Sequence, residues 1–289
     1  MSQSNFIKQL YDKNTRSGLA FPDKEFAYQF IDQLFQLVFI PRTGQTEKFT
    51  DFEKKYKGLK SHLSTLVYDV IRTGDKAQSV AEDFFEAFPA IYDKLLKDAS
   101  VVSQYDPAAQ SVEEVLITYP GFYATAVYRI AHQLWKQGAG ILPRLFTEYA
   151  HSKTGIDIHP GAEIGDSFFI DHGTGIVIGE TAVIGNNVKI YQGVTLGALN
   201  TSKDKVASLD RRHPTIEDNV IIYPGAAILG GKAIIGHDSI IGANVWITYS
   251  IPPFSLVSHK SEVIARENFS FKESVDEILK ERQQGISQP

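Results

Sequence analysis

The segment Ile170-Asp171-His172-Gly173-Thr174-Gly175-Ile176-Val177-Ile178 interrupts an otherwise regular beat. Before it, Ile158, Ile164 and Ile170 fall six residues apart. After it, Ile178, Ile184, Ile190 and Leu196 keep the same spacing, offset by two. Leu229, Ile235, Ile241 and Ile247 carry the beat further, and Gly165, Gly179, Gly185, Gly236 and Gly242 each follow an aliphatic of the series. A branched aliphatic every six residues fits a parallel β-helix of very short strands and turns, each aliphatic pointing into a narrow core. A β-sandwich would instead alternate with period two. The break places an acid beside a histidine where the repeat slips, and that is where chemistry is expected.

Outward from this point the texture changes. Residues 1–152 read as helical: Lys24 to Ile40 has apolar residues at three-and-four spacing and stops at Pro41, and Asp51 to Arg72 behaves alike before Gly74. Further helices are expected near 79–98, 121–137 and 140–151. Residues 153–253 form the repeat, with a polar excursion at 198–213 that ends in Arg211-Arg212-His213. Residues 254–289 form a tail with one amphipathic helix over 268–283.

Composition bounds the function. The chain has 289 residues, a net charge of −5 and 43% hydrophobic residues, and no cysteine. Disulfides, thiolate catalysis and Cys-ligated zinc are excluded. The negative balance argues against a nucleic-acid partner bound through bulk positive charge. No stretch is long and apolar enough to span a bilayer, and no secretory signal is visible. A soluble, cytoplasmic protein with no membrane or nucleic-acid partner is expected.

His172 is the leading candidate base, because an imidazole titrates near neutrality and can take a proton from an alcohol. Asp157, fifteen residues earlier, lies nearly one coil below it if a coil takes about 18 residues, within reach as an orienting carboxylate. Asp171 points away from His172 if the segment is extended, and could meet a cationic group. Both acids could instead be turn residues satisfying local amides. His159 and His213 are further candidates. Together with His172 they could bind zinc through three nitrogens, the rival metalloenzyme reading. Arg211 and Arg212 offer forked donors for a carboxylate or phosphate, or form a solvated pair.

These residues resemble the serine O-acetyltransferase family. The likeness rests on Asp157-Ile158-His159-Pro160-Gly161-Ala162, on Ile170 through Ala182, on Gln192-Gly193-Val194-Thr195-Leu196-Gly197 and on Arg212-His213-Pro214. Ala126-Val127-Tyr128-Arg129-Ile130-Ala131-His132 extends it into the helices. The resemblance implies an α+β fold, with a helical N-terminal domain followed by a left-handed parallel β-helix. It implies acetyl transfer from acetyl-CoA to the L-serine hydroxyl, without a metal, in cysteine biosynthesis. By resemblance His172 is the general base and Asp157 its partner. Asp171 and Asp106 would bind the serine ammonium, Arg212 its carboxylate, and His213 would line the pocket. CoA would lie along Gly197, Gly225 and Ala243 between subunits of a homotrimer or dimer of trimers.

Three departures stand out. The excursion after Gly197 exceeds the family's short glycine-rich loop, an arginine pair stands where one is used, and the chain ends in Pro289 rather than isoleucine. The last implies that a stable complex with cysteine synthase is weak or absent. Other readings are a hexapeptide acetyltransferase for another hydroxyl acceptor, a zinc β-helix hydratase, and a non-catalytic scaffold.

Overall fold

In the computed structural model the described residues are 1–16, 21–40, 47–199 and 211–260. The expected helix at 268–283, Pro289 and most of the 198–213 excursion lie outside them.

Among the described residues seven helices come first: α1 (Gln3–Arg16), α2 (Lys24–Phe39), α3 (Phe49–Ile71), α4 (Gly74–Tyr105), α5 (Val112–Thr118), α6 (Pro120–Lys136) and α7 (Leu142–Thr154). Asp23 caps α2 by accepting the Phe26 N–H at 2.8 Å, and Ser111 caps α5 through the Glu114 N–H at 3.2 Å. The fourth helix is longer than the spacing predicts and continues through Pro89. Proline there forfeits one intrahelical hydrogen bond, and the buried face of Phe84, Phe85, Phe88 and Ile91 holds the helix together around it.

Among the described residues fourteen short strands follow: β1 (Asp157–Ile158), β2 (Glu163–Ile164), β3 (Phe169–Asp171), β4 (Val177–Ile178), β5 (Val183–Ile184), β6 (Lys189–Tyr191), β7 (Thr195–Gly197), β8 (Thr215–Ile216), β9 (Ile221–Ile222), β10 (Ala227–Leu229), β11 (Ile234–Ile235), β12 (Ile240–Ile241), β13 (Trp246–Ile247) and β14 (Leu256–Val257). They stack in parallel into three sheets: β1-β4-β7-β10-β13 (sheet one), β2-β5-β8-β11 (sheet two) and β3-β6-β9-β12-β14 (sheet three). The six-residue beat is therefore the side of a triangular prism, and the fold is a left-handed parallel β-helix. The inward positions Ile158, Ile178, Leu196, Ile228 and Ile247 pair in sequence up sheet one and are all buried. Burying each such side chain contributes about 1.5–3 kcal/mol.

Register explains the slip. Ile158 pairs with Ile178, twenty residues on, whereas Ile178 pairs with Leu196, eighteen on. The first coil is two residues longer, and the extra length sits at the corner between β3 (Phe169–Asp171) and β4 (Val177–Ile178). The excursion is a second insertion, which makes Leu196 pair with Ile228.

One helix seats the helical region on the first coil. Arg129 on α6 is buried, with Nε donating to Asp98 Oδ2 at 2.6 Å and Nη2 to the other carboxylate oxygen at 2.9 Å. Its remaining N–H groups reach the carbonyls of Ile164 and Gly165 on the solenoid at 3.3 and 2.7 Å. Asp98 also accepts the Phe168 N–H at 2.9 Å, so the buried pair is hydrogen-bonded on both sides. The Tyr128 hydroxyl donates to the Ala162 carbonyl at 2.6 Å and completes the seam.

Candidate functional site

The corner between sheets three and one carries the acid-histidine pair. Gly173 N–H donates to the Asp171 carbonyl across His172 at 2.6 Å, a three-residue turn. Positive φ follows at His172 (56°), Gly173 (85°) and Gly175 (82°). A non-glycine residue held there costs about 1–3 kcal/mol, an arrangement that clusters at functional sites. The turn displays the imidazole, whose side chain is 73% exposed. The segment is not extended at His172, so Asp171 does not face away: its Oδ1 lies 3.8 Å from His172 Nε2.

A second carboxylate comes from the helical region. Asp106 follows α4, where its Oδ1 accepts the Ala108 N–H at 2.8 Å and its Oδ2 the Tyr119 hydroxyl at 2.6 Å. That hydrogen bond, reinforced by burial and the Asp106 charge, pushes the Tyr119 phenol up to about 12. Tyr191, paired in register with Asp171, is also raised, by burial first and then by the charges of Asp171 and Asp106. Both phenols thus feel the same two carboxylates. Asp171 adjoins His172, and Asp106 acts with it on the same two tyrosines, a field suited to a cation.

The next corner, between sheets one and two, gathers the basic residues. Arg212 Nη2 donates to Glu180 Oε2 at 2.6 Å. The backbone N–H groups of Arg212 and His213 donate to the Thr181 hydroxyl at 2.9 and 3.1 Å. The Thr181 N–H donates in turn to His213 Nδ1 at 3.1 Å. The imidazole lies flat against Gly179: a Cβ there would meet Cδ2 at 2.0 Å and Nε2 at 2.1 Å. Burial first, then the neighbouring Arg212 charge, drives His213 down to about 4, so its ring is neutral near pH 7. His159 belongs to this corner too, its Nδ1 accepting the Gly161 N–H at 3.0 Å and its ring edge-on to Trp135. It is also lowered, chiefly by burial.

The predicted residues thus fall into two groups within one chain. Asp171 and His172 share one corner, and Asp106 is tied to it through Tyr119, whose phenol feels both carboxylates. Arg212 and His213 share the next, with His159, so the three histidines of the zinc reading do not come together in a single chain. Asp157 sits on β1 between them, its carboxylate 3.9 Å from Arg144, and among the described residues no hydrogen bond joins it to His172. Gly225 and Ala243 lie on the His172 side of sheet one, whereas Gly197 ends β7 at the basic corner. A cleft of about 590 Å³ between α4 and sheet three, lined by Lys97, Tyr105, Asn187 and Lys189 among others, holds none of these residues.

Sequence reasoning missed Tyr119, Tyr191, Glu180 and Thr181. Tyr119 and Tyr191 lie outside the motifs singled out, and Glu180 and Thr181 stand inside one without an assigned role. Their roles depend on which coil faces which, and no local pattern carries that.

No family model matches the chain. It is 50% identical over 198 residues to a plasmid-borne serine acetyltransferase of Synechococcus elongatus, covering 67% of this chain and 60% of that protein. It is 48% identical over 163 residues to the serine acetyltransferase of Bacillus subtilis, covering 56% of this chain and 72% of that one. The chain belongs to the serine acetyltransferases. Among solved structures, serine acetyltransferase 1 of Entamoeba histolytica in complex with L-cysteine superimposes with a TM-score of 0.73. It is 34% identical, over 90% of this chain and all of that one. Serine acetyltransferase relatives thus match both the helical region and the β-helix. In this member of the family the two charged corners flank one outward face, sheet one, whose outward positions run Asp157, Val177, Thr195, Ala227 and Trp246, with Val177 and Trp246 exposed and the others half-buried.

Proposed function

We propose that the chain transfers the acetyl group of acetyl-CoA to the hydroxyl of L-serine, giving O-acetyl-L-serine and CoA, in the cytoplasm and toward cysteine. The observation that carries this reading is the disposition of charge around His172. Asp171 adjoins the base, Asp106 acts with it on the same two tyrosines, and a guanidinium, Arg212, with a neutral imidazole, His213, occupies the neighbouring corner. A zwitterionic acceptor needs opposite charges at its two ends and a base at the hydroxyl between them.

In this reading Asp106 and Asp171 hold the ammonium, and Arg212 and His213 the carboxylate. His172 takes the hydroxyl proton as the serine oxygen attacks the thioester carbonyl. Asp157 steadies the resulting imidazolium. Collapse of the tetrahedral adduct breaks the carbon–sulfur bond, and the imidazolium returns its proton to the departing thiolate. Gly197, Gly225 and Ala243 are the proposed backbone contacts for CoA, and no step requires a metal.

Because the two charged groups occupy different corners of one prism, we place the complete pocket between copies, in a homotrimer or dimer of trimers. The acidic corner of one subunit would face the basic corner of the next. Equal co-expression of His172→Ala and Arg212→Ala chains tests this. Random assembly leaves about a quarter of shared pockets intact, whereas a pocket within one chain recovers nothing. The activity itself is tested by thiol release from acetyl-CoA with L-serine, compared with other hydroxyl acceptors and with His172→Ala. Release without preference for serine, or undiminished by His172→Ala, would overturn the proposal.

A further inference from the structure

The basic corner contains a residue whose contacts exceed what a turn requires. Thr181 lies in the short turn between β4 and β5 (Val183–Ile184), thirty-one residues before Arg212. Its oxygen accepts two backbone N–H bonds, from Arg212 at 2.9 Å and His213 at 3.1 Å. Those bonds use both oxygen lone pairs, leaving the hydroxyl hydrogen, and His213 Nδ1 lies 2.9 Å from that oxygen. The Thr181 backbone N–H is aimed at the same Nδ1 from 3.1 Å. An amide N–H can only donate, so Nδ1 presents its lone pair and the ring proton resides on Nε2. The opposite side of the segment is equally confined. A Cβ on Gly231 would fall 1.7 Å from the Arg211 carbonyl oxygen, and one on Gly179 would fall 2.1 Å from His213 Nε2.

We propose that Thr181 is a positioning residue for the acceptor site: it clamps the Arg212–His213 backbone and fixes His213 as the Nε2–H tautomer. The two residues then present a guanidinium fork and a neutral N–H donor together. The inference rests on the reading that this pair receives the serine carboxylate. Glu180 does not supply the clamp, because its hydrogen bond holds only the Arg212 side chain and none runs from it to the backbone or to His213. Nor does a purely structural turn explain the geometry, since neither strand pairing of β5 uses the Thr181 side chain.

The test has a spectroscopic and a kinetic arm. In full-length protein labelled with ¹⁵N at histidine, assigned with His213→Gln, the His213 signals should show an unprotonated Nδ1 and a protonated Nε2. Thr181→Val keeps the amide but loses the hydroxyl that holds the Arg212–His213 backbone, so the ring should drift off that amide and the signals become an exchange-averaged mixture, and Thr181→Ser should restore them. Kinetically, Thr181→Val should raise the serine KM about tenfold, with kcat and the acetyl-CoA KM within about threefold of wild type. Thr181→Ser should return the serine KM to within about twofold. A wild-type His213 protonated on Nδ1, or Thr181→Val with an unchanged His213 spectrum, would overturn the clamp. An altered spectrum with an unchanged serine KM would overturn its use for serine. Should the wild type release no CoA with serine, the proposed function fails, and the spectrum alone still decides the clamp.

Discussion

Replacing Gly179 by alanine asks whether the position of the His213 ring matters to the enzyme. Gly179 lacks a left-handed φ, so its backbone accepts alanine without strain. The whole effect must come from the added methyl, which would sit 2.0 Å from His213 Cδ2 and 2.1 Å from Nε2. Ordinary contact begins near 3.4 Å, so the ring must retreat by about 1.4 Å. It has little room to do so, being buried and held at Nδ1 by the Thr181 amide at 3.1 Å. A misplacement of about 1 Å in a positioning group costs roughly 100-fold in rate, and overpacking a full site costs about 1–3 kcal/mol of stability. The expected result is a fall of about 100-fold in kcat/KM for serine, with the protein still folded at 25 °C. Continuous CoA-thiol detection gives the rates, and urea unfolding gives the stability. Gly58→Ala on α3 is the control: nothing lies within 4 Å of its added methyl, so activity should hold and stability rise by about 0.5–1 kcal/mol. A Gly179→Ala enzyme with wild-type kcat/KM for serine would refute the reasoning that the ring against Gly179 serves the acceptor.

Three further outcomes follow from the same geometry. Asp98→Ala strands the buried Arg129 guanidinium and should destabilise the protein by about 3–5 kcal/mol in chemical denaturation, whereas a value under 1 kcal/mol would show that water reaches the pair. Tyr119→Phe removes the hydroxyl that donates to Asp106 and should raise the serine KM severalfold while leaving the acetyl-CoA KM alone, which initial-rate kinetics will decide. Burial, first among the causes in each case, depresses His213 to about 4 and lowers His62, His132 and His159 below the ordinary 6.5. The unfolded chain therefore binds more protons between those values, so stability should be complete above pH 6.5 and decline as pH falls toward 4. Urea midpoints that stay flat from pH 7 to pH 4.5 would contradict that accounting.

The sequence by itself determined the solenoid, because a parallel β-helix writes its core directly into the chain. Each coil buries its own aliphatics against its neighbours, so Ile158, Ile178 and Leu196 announce one sheet by spacing alone. It also located the break at His172, since two extra residues in a six-residue beat must sit at a corner. His172, the acid beside it and the arginine-histidine pair were legible as residue types that can do chemistry. Their arrangement was not. Whether Asp171 faces toward or away from His172 turns on one φ angle, and a positive value cannot be read from a non-glycine residue. That Asp106 and Tyr119 reach the acidic corner depends on how α4 and α6 seat on the first coil, a matter of contacts between residues as distant as Asp98 and Phe168. The division of the candidate site between two corners, and the clamp Thr181 makes on a segment thirty-one residues away, were decided by tertiary structure alone. The physical reason is that hydrogen bonds and charge pairs act over a few ångströms of space, while a repeat fixes only what is periodic along the chain. The breaks in the period carry the candidate side chains to two separate corners, and what meets them there comes from residues far away in the chain.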